Sequence, residues 1–371
     1  MVENNKDFFD ESTVVDTKKE TDRKCPQCGG VMDFAPETGD MGCPYCGYHE
    51  EVESEDELKS ASELRFEDAE TYENCDWGVE KKTVICKSCG AETVYDAIEI
   101  AGECPYCGSN QVMEAFDQKT MAPGGIVPFK ISKKQANEGF LKWIKRKLFT
   151  PSAAKKQAKA ESFKGIYLPF WTFDTDTKTL YTARYGVNHY YTDKDGKQRV
   201  VTHWHFTSGR FNKFFNDKVA AATNKHDNEL LRSINNFDTE SNVEYKPEYL
   251  AGFCSERYCI GLKDAWEKDA KLAINRELAR EIEMNIRVTR QASIVTNLNL
   301  KTKYDDLTYK YLLLPVWMSS FKFKGKTYNF LINGQTGKVG GRAPVSAIRV
   351  IIAILLGLIG VGALLFLFSH I

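Results

Sequence analysis

The chain has 371 residues, a formal net charge of −1 at pH 7, and 42% hydrophobic and 27% charged residues. This composition is close to that of ordinary globular proteins, so it excludes a largely disordered or collagen-like chain. Because the net charge is close to zero, the sequence also excludes a global electrostatic attraction to nucleic acid or anionic lipid, and any such contact must come from a local patch.

The N-terminal segment, residues 1–22, lacks a positively charged start followed by an apolar run. We therefore expect a disordered N-terminus without a secretory signal peptide. A chain that is not secreted keeps its cysteines reduced or uses them as metal ligands, and this chain has eleven.

Eight of the eleven cysteines repeat one spacing, C-x2-C-x14-C-x2-C, in two copies. The first copy is Cys25, Cys28, Cys43 and Cys46, and the second is Cys86, Cys89, Cys104 and Cys107. In each C-x2-C a tight turn brings both sulfurs to one side, and the glycine that follows tolerates that turn. Two such knuckles place four thiolates around one ion and leave no site for water. The pattern predicts two structural Zn²⁺ sites, with rubredoxin-like iron or a redox dithiol as the alternatives.

These cysteines define two zinc ribbons, at residues 23–50 and 81–113, joined by an acidic linker at 51–80. Neither ribbon has a basic surface, and four thiolates on Zn²⁺ add a formal charge of about −2. The charges favour ribbons that dock proteins over ribbons that bind phosphates.

The region after the ribbons contains an internal echo. The segment "KGIYLPFWTFD" resembles "YKYLLLPVWMSSF", with Leu168, Pro169 and Trp171 matching Leu314, Pro315 and Trp317. Each copy follows a helical stretch and precedes β-rich sequence with a hairpin turn, Asp195-Gly196 or Asn333-Gly334. We therefore predict two related α+β units with antiparallel strands, at 126–244 and 245–344.

The helix of the first unit begins at a capping box formed by Ser132 and Gln135. Its periodicity puts Ala136, Phe140 and Leu148 on one apolar face before Pro151 ends it.

The remaining candidate ligands are isolated. Cys75, Cys254 and Cys259 fall outside both tetrads and are more typical of small buried residues. His203 and His205 would share a face of a strand, where surface histidines and a metal site are the two interpretations.

Residues 130–164 contain eleven Lys or Arg against two acidic residues, Glu138 and Glu161. Such a stretch is either a solvated helical face or a surface that lies against anionic lipid headgroups.

The C-terminal stretch, Val350 to Phe368, has 19 residues without a charge, which is about 28 Å of helix. It predicts a transmembrane helix at 348–369, and a buried core helix is the alternative. Lys338, Arg342 and Arg349 precede the stretch, so the positive-inside rule places residues 1–349 in the cytoplasm of a single-pass protein of the cell membrane.

The predicted fold class is thus α+β: two small N-terminal zinc ribbons, a duplicated α+β body and one C-terminal transmembrane helix. Small residues recur in that helix at Ala353, Gly357 and Gly360. They would let two copies pack closely as a homo-oligomer, although such residues are equally ordinary in a helix that faces lipid.

Taken together, the paired four-cysteine ribbons, the "LPFW" and "LLPVW" echoes and the terminal "FLINGQTGKVGGRAP" with its apolar helix resemble one family. They resemble the bacterial double zinc-ribbon membrane proteins, also described as transcription-factor-IIB-type zinc-ribbon proteins. The resemblance covers essentially the whole chain. It implies an association with stomatin/prohibitin/flotillin-domain and phage-shock-protein-A-like proteins in envelope-stress systems.

The sequence contains no catalytic signature. Both "GKT" at residues 325–327 and "TGKV" at 336–339 lack the first glycine of a P-loop. We expect a non-enzymatic adaptor that docks cytoplasmic partner proteins at the membrane, and the alternative is a membrane-tethered regulator that binds nucleic acid.

Overall fold

The computed structural model describes residues 24–52, 59–69, 81–86, 92–96, 112–114, 121–158, 163–224 and 226–369. The strands are Asp33–Ala35 (β1), Asp40–Gly42 (β2), His49–Glu50 (β3), Leu64–Arg65 (β4), Lys81–Cys86 (β5), Glu92–Asp96 (β6), Val112–Glu114 (β7), Gly125–Ile126 (β8), Lys164–Thr192 (β9), Gln198–Ala221 (β10), Val243–Glu244 (β11), Cys254–Ser255 (β12), Ile294–Phe323 (β13), Lys326–Asn333 (β14) and Val339–Gly341 (β15). The helices are Lys133–Arg146 (α1), Ser152–Gln157 (α2), Asn228–Ile234 (α3), Leu262–Ala265 (α4), Lys271–Thr289 (α5) and Ala347–Ser369 (α6), and a π-helical turn, Trp266–Ala270, joins α4 to α5.

Three long strands form the centre of the body. β9 has 29 residues, β10 has 24 and β13 has 30. β9 lies between the other two and pairs antiparallel with both. These strands are rich in Thr, Tyr, Val and Phe, which fit a pleated surface well. The sheet is the scaffold to which every other described part of the body is attached.

The core surrounds the middle of β9 and β13, where nearly every side chain of "IYLPFWTF" and "YKYLLLPV" is buried. The helix α1 covers one region, where Phe140 stacks on Phe330 with ring centroids 4.0 Å apart. The capping box at its start is confirmed, because the Ser132 N–H donates to Gln135 and the Gln135 N–H donates to Ser132. The helix α5 covers another region with four buried side chains, Ile274, Leu278, Ile282 and Ile286.

The internal echo forms the centre of this sheet. Leu168 lies directly opposite Leu314 in the antiparallel pairing of β9 with β13, so the matching residues meet at a local two-fold axis. Around them, β12 runs parallel to β9 and β8 runs parallel to β13. The Trp171 indole N–H donates to the Ile260 carbonyl at 2.9 Å, and the Trp317 indole N–H donates to the Ile131 carbonyl at 2.7 Å. Both carbonyls lie just before a helix.

Both expected turns are observed. Gly196 has φ +73° in the turn between β9 and β10, and the chain after Asn333 turns back so that Ile332 pairs with Val339.

Part of the acidic linker packs against the body. Within residues 59–69, β4 pairs with β13, and Phe66 packs against Phe173, Trp266 and Tyr309. Burial of the apolar Phe66 side chain is favourable, and it costs little desolvation of the polar neighbours because those neighbours still reach solvent. This segment is therefore a docked edge of the body.

The predicted fold class needs correction. Among the described residues the structure is sheet-rich, with 41% strand, 28% helix and a large antiparallel sheet, because the long strands of the two predicted units, β9 and β13, pair with each other in one sheet. The transmembrane helix is also corrected. In the part of the chain that the structure describes, no helix is long and apolar enough to cross a membrane.

Candidate metal centre

The first ribbon is built from two matching knuckles. In the first, the Cys25 N–H donates to the Gly30 carbonyl at 2.7 Å, and the Gly29 N–H donates to the Cys25 carbonyl at 2.8 Å. In the second, the Gly47 N–H donates to the Cys43 carbonyl at 3.0 Å. Gly29 has φ +73° and Gly47 has φ +74°, a left-handed conformation that glycine adopts without steric cost. The glycine after each C-x2-C therefore permits the turn that converges the two sulfurs.

The short strands β1, β2 and β3 bring the knuckles together. The Cys25 and Cys46 sulfurs lie 3.4 Å apart, and the Cys28 and Cys43 sulfurs lie 3.5 Å apart. All four sulfurs lie within 4.8 Å of one another. A tetrahedral ion with metal–sulfur bonds of about 2.3 Å needs sulfurs roughly 3.8 Å apart, so the four residues fit one metal ion. The first of the two predicted tetrads is thus assembled as a group that could hold a metal.

The thiols differ in proton affinity. Burial raises the pKa of Cys43, but the backbone N–H groups of Cys46 and Tyr45 and the neighbouring thiols outweigh it and lower that pKa to about 7. At Cys46 the backbone N–H of Tyr48 lowers the pKa, but burial and the other three thiols raise it to about 12. Thiol ligands bind metals as thiolates, so metal binding at this cluster releases protons.

A small core holds the cluster against the body. Met32, Phe34 and Met41 are buried below the knuckles. Phe34 meets Tyr249 edge to face with ring centroids 5.4 Å apart, and its N–H donates to the Ala251 carbonyl at 3.2 Å. The ribbon is therefore attached to the body and does not depend on a free tether for its position.

The opposite edge of the ribbon faces solvent. Cys25 and Cys43 are buried, whereas Cys28 and Cys46 are exposed. Beside the exposed pair, Tyr45 is 77% exposed and Val31 is 42% exposed. An exposed aromatic ring on a rigid knuckle is a typical anchor of a protein interface. We call the surface formed by Val31, Tyr45 and the exposed Cys28 and Cys46 the knuckle edge.

The second tetrad is only partly described. Cys86 is the last residue of β5, which pairs with β6 and β7. Cys89, Cys104 and Cys107 lie outside the described residues, as does Cys75.

The remaining cysteines and the two histidines do not join a described cluster. Cys254 is half-buried and Cys259 is exposed, with its thiol donating to Asn224 at 3.2 Å. His203 packs against His189 with ring centroids 4.8 Å apart, and His205 stacks on Tyr185. Among the residues that the structure describes, the four ribbon cysteines are the group that could hold a metal ion.

Two buried polar clusters were not anticipated from the sequence. In the first, Lys310 lies 2.8 Å from the Asp217 carboxylate and 3.1 Å from Glu63, and the Asp217 N–H donates to Asp174 at 2.7 Å. Burial and the adjacent Glu63 carboxyl raise the pKa of Asp174 to about 7, against the opposing effects of the Asp217 N–H and Lys310. The sequence does interrupt apolar strands with Asp174 and Lys310, but it does not show that they meet.

The second cluster centres on Glu256, which is fully buried. One carboxylate oxygen accepts from the Thr223 hydroxyl at 2.6 Å, and the other lies 2.9 Å from the His226 imidazole Nε2. This cluster satisfies a buried carboxylate with hydrogen bonds, which is what a buried charge requires.

Comparison with known proteins gives one informative match. The chain is 29% identical over 327 residues to the uncharacterized protein YdjG of Bacillus subtilis (strain 168), which covers 87% of this chain and 90% of the relative. No family model matches the chain. No solved structure matches it significantly. The similarity extends over most of both chains, and the relative's name states no activity.

Proposed function

We propose that this protein is a non-enzymatic adaptor that docks partner proteins at the cytoplasmic face of the cell membrane through its cysteine ribbons. The observation that carries the proposal is the knuckle edge, a solvent-exposed aromatic surface on a closed four-cysteine site that is packed onto a large body. A site with four thiol ligands leaves no open position for a substrate, which favours a structural role over catalysis.

The proposed metal is Zn²⁺, bound once by each ribbon. Four thiols in tetrahedral arrangement are the ligand set that structural zinc sites use. The second site is proposed from the repeated spacing, which would place Cys86, Cys89, Cys104 and Cys107 around one ion. Tyr45 and Tyr106 occupy the same position of the two "CPYCG" sequences, so the second ribbon would present an equivalent aromatic side chain.

Membrane attachment is proposed to use α6. From Ile351 to Val361 its large apolar side chains are each at least half exposed, and they point in all directions around the helix. Exposed apolar surface of this extent is unfavourable in water, so it favours association with lipid. The position of residues 1–349 in the cytoplasm stays a prediction from the charges that precede α6.

The proposed partners follow from the family resemblance: a stomatin/prohibitin/flotillin-domain protein and a phage-shock-protein-A-like protein of an envelope-stress assembly. The alternative is a regulator that binds nucleic acid. The charges around the first ribbon give that alternative little support, because Lys24 is accompanied by Glu37, Asp40, Glu50 and Glu51.

A pull-down from crosslinked membranes tests the proposal. The full chain and Tyr45→Ala would be compared for capture of the flotillin-domain and phage-shock-protein-A-like proteins of the same cell. Tyr190→Ala is the matched control, because Tyr190 is 71% exposed on the distant part of β9. We expect Tyr45→Ala to reduce capture about tenfold, as loss of an interface anchor does, and the control to leave it unchanged.

Equal capture by all three proteins would show that the knuckle edge does not dock these partners. Capture of DNA or RNA in their place, weakening steeply as salt rises, would establish the nucleic-acid alternative.

A further inference from the structure

The end of α1 and the start of α2 carry an unusual concentration of positive charge. From residue 139 to residue 158 the sequence contains no Asp or Glu. The cations in this stretch are Lys142, Lys145, Arg146, Lys147, Lys155 and Lys156, and we call them the basic collar. All are exposed except Lys155, which is half-buried.

Carboxylates within the described chain do not neutralise this charge. In that part of the chain, none of the six cations forms an ion pair. By contrast, Lys271 and Arg287 of α5 each form an ion pair with a carboxylate. The contacts the collar does make are to neutral groups. The Lys155 ammonium donates to the Lys145 carbonyl at 2.7 Å, and the Lys147 ammonium lies 4.7 Å from the centre of the Trp143 ring. The like charges therefore repel one another unless an external anion is present.

Large apolar side chains are exposed within the same surface. The periodicity of α1 predicts Leu148 on the buried face, but the helix ends at Arg146 and Leu148 is 79% exposed. Phe149 is 42% exposed, and on the adjoining chain Val345 is 66% and Ile348 is 71% exposed. Cations beside exposed apolar side chains are the composition of surfaces that lie in a lipid headgroup region.

The start of α6 is fastened to this surface. The Arg349 guanidinium donates to the Leu148 carbonyl at 3.0 Å and to the Thr150 carbonyl at 2.7 Å. The Ser346 N–H donates to the Phe149 carbonyl at 2.8 Å. The Arg349 guanidinium thus binds carbonyl groups, and these hydrogen bonds fix the first turn of α6 beside the collar. The apolar surface of α6 begins where the basic collar lies.

We propose that the basic collar binds the anionic headgroups of a lipid bilayer to which α6 attaches. This inference rests on the proposed membrane attachment and adds a lipid class to it. Each cation close to an anionic surface strengthens binding several-fold, and the effect fades beyond a Debye length. Leu148 and Phe149 would enter the interfacial region between the cations. The collar would thereby set both the depth of the body at the bilayer and its preference for anionic lipid.

Vesicle flotation with the full chain tests the proposal. Two vesicle types would be used, phosphatidylcholine alone and phosphatidylcholine with about one third phosphatidylglycerol. The test variant is Lys145→Gln with Arg146→Gln. The matched control is Lys133→Gln with Lys134→Gln, which removes the same charge from the other end of the same helix, about 20 Å away. We expect the test variant to bind anionic vesicles about tenfold more weakly than the unaltered chain, and the control to bind as tightly as that chain.

The outcomes distinguish the preference for anionic lipid from membrane attachment through α6. Tight binding to neutral vesicles that is not strengthened by phosphatidylglycerol would overturn the anionic preference and leave attachment through α6 intact. No binding to either vesicle type would overturn the attachment as well. A preference for anionic vesicles that both double variants reduce equally would mean that general positive charge, and not the collar, is responsible. Tight binding of duplex DNA that depends on Lys145 and Arg146, without any vesicle preference, would assign the collar to nucleic acid.

Discussion

The two cysteines of each knuckle have different surroundings although both belong to the same four-cysteine cluster. Cys25 and Cys43, the first cysteines of their knuckles, are buried against Met32 and Met41, whereas Cys28 and Cys46 face solvent. The buried pair connects the metal centre to the small core of the ribbon. A ribbon of this size buries little apolar surface, so a metal bound by the four cysteines would supply much of its folding free energy.

Replacing one buried thiol therefore has a defined expected result. Cys25→Ser should lower the metal content by about one equivalent per chain, because a hydroxyl is a poor substitute for a thiolate. It should also increase hydrogen exchange across residues 24–52 while the body strands stay protected. Metal content by inductively coupled plasma mass spectrometry and hydrogen exchange would measure both effects.

The matched control is Cys259→Ser, an exposed thiol outside the cluster. Unchanged metal content in Cys25→Ser, or an equal loss in the control, would contradict the assignment of the first tetrad.

At the scale of elements, the three long strands keep their pairing through three irregularities. Register shifts occur between Phe215 and Lys218, between Thr296 and Asn299 and between Asp305 and Thr308. Each shift contains a residue with positive φ, at Asp217, Asn297 and Asp306 respectively. Asp and Asn tolerate the left-handed region better than other side chains with a Cβ. At these bulges the strands therefore continue, although the local sequence composition resembles that of a turn.

This explains which elements could be predicted from the sequence. Patterns within a few residues, such as the capping box at Ser132 and the turn at Asp195-Gly196, predicted local structure correctly. The lengths of β9 and β13 were not predictable, because Asp and Asn at a bulge resemble Asp and Asn in a loop. The first four-cysteine cluster was predictable because its spacing alone determines which sulfurs meet.

The two echoed tryptophans allow a test of the duplication. Trp171 and Trp317 are 2% and 5% exposed, and each indole donates to a carbonyl just before a helix. Trp171→Phe and Trp317→Phe each remove one hydrogen bond and some buried volume. We expect each to lower the free energy of unfolding by about 2 kcal/mol, measured from urea denaturation.

Trp204→Phe serves as the control, because Trp204 is 43% exposed, and it should change stability by less than about 0.5 kcal/mol. A large effect at one echoed tryptophan and none at the other would show that the two positions are not equivalent in energy.

At the scale of the whole molecule, the body is contacted both by the first ribbon and by part of the linker that follows it. Phe34 packs on Tyr249, and the linker segment that follows the ribbon pairs β4 with β13. Glu63 in that segment reaches Lys310, 247 residues away in the sequence. Contacts of such long range leave no local pattern, so neither the docked linker nor the contact of the exposed Glu63 with the buried Asp174, Lys310 and Asp217 could be predicted. Their joint effect is to connect the ribbon and the central sheet in one folded unit.

The buried cluster makes the stability of this unit depend on pH. The pKa of Asp174 rises from an ordinary value of 3.8 to about 7 in the folded chain, so the folded state holds a proton that the unfolded state releases. The resulting stability is fully present below about pH 4 and is lost as pH rises to about 7. At the adjacent Glu63, partial burial raises the pKa, but hydrogen bonds with Asp174, Thr308 and Lys310 outweigh it and lower that pKa. This is consistent with one proton shared by the two carboxyl groups.

Replacing the acid by its amide should remove this dependence. Asp174→Asn keeps a donor toward Glu63 and an acceptor for the Asp217 N–H, without a charge at high pH. Relative to the unaltered chain, it should gain on the order of 2–4 kcal/mol of stability between pH 5 and pH 8, measured by urea denaturation across that range. Asp176→Asn, two residues along β9 and exposed, controls for loss of one negative charge from the same strand.

A stability difference between Asp174→Asn and the unaltered chain that stays constant with pH would mean that Asp174 is ionised throughout. The cluster would then hold the linker by fixed charges, and the ribbon's attachment to the sheet would be insensitive to pH.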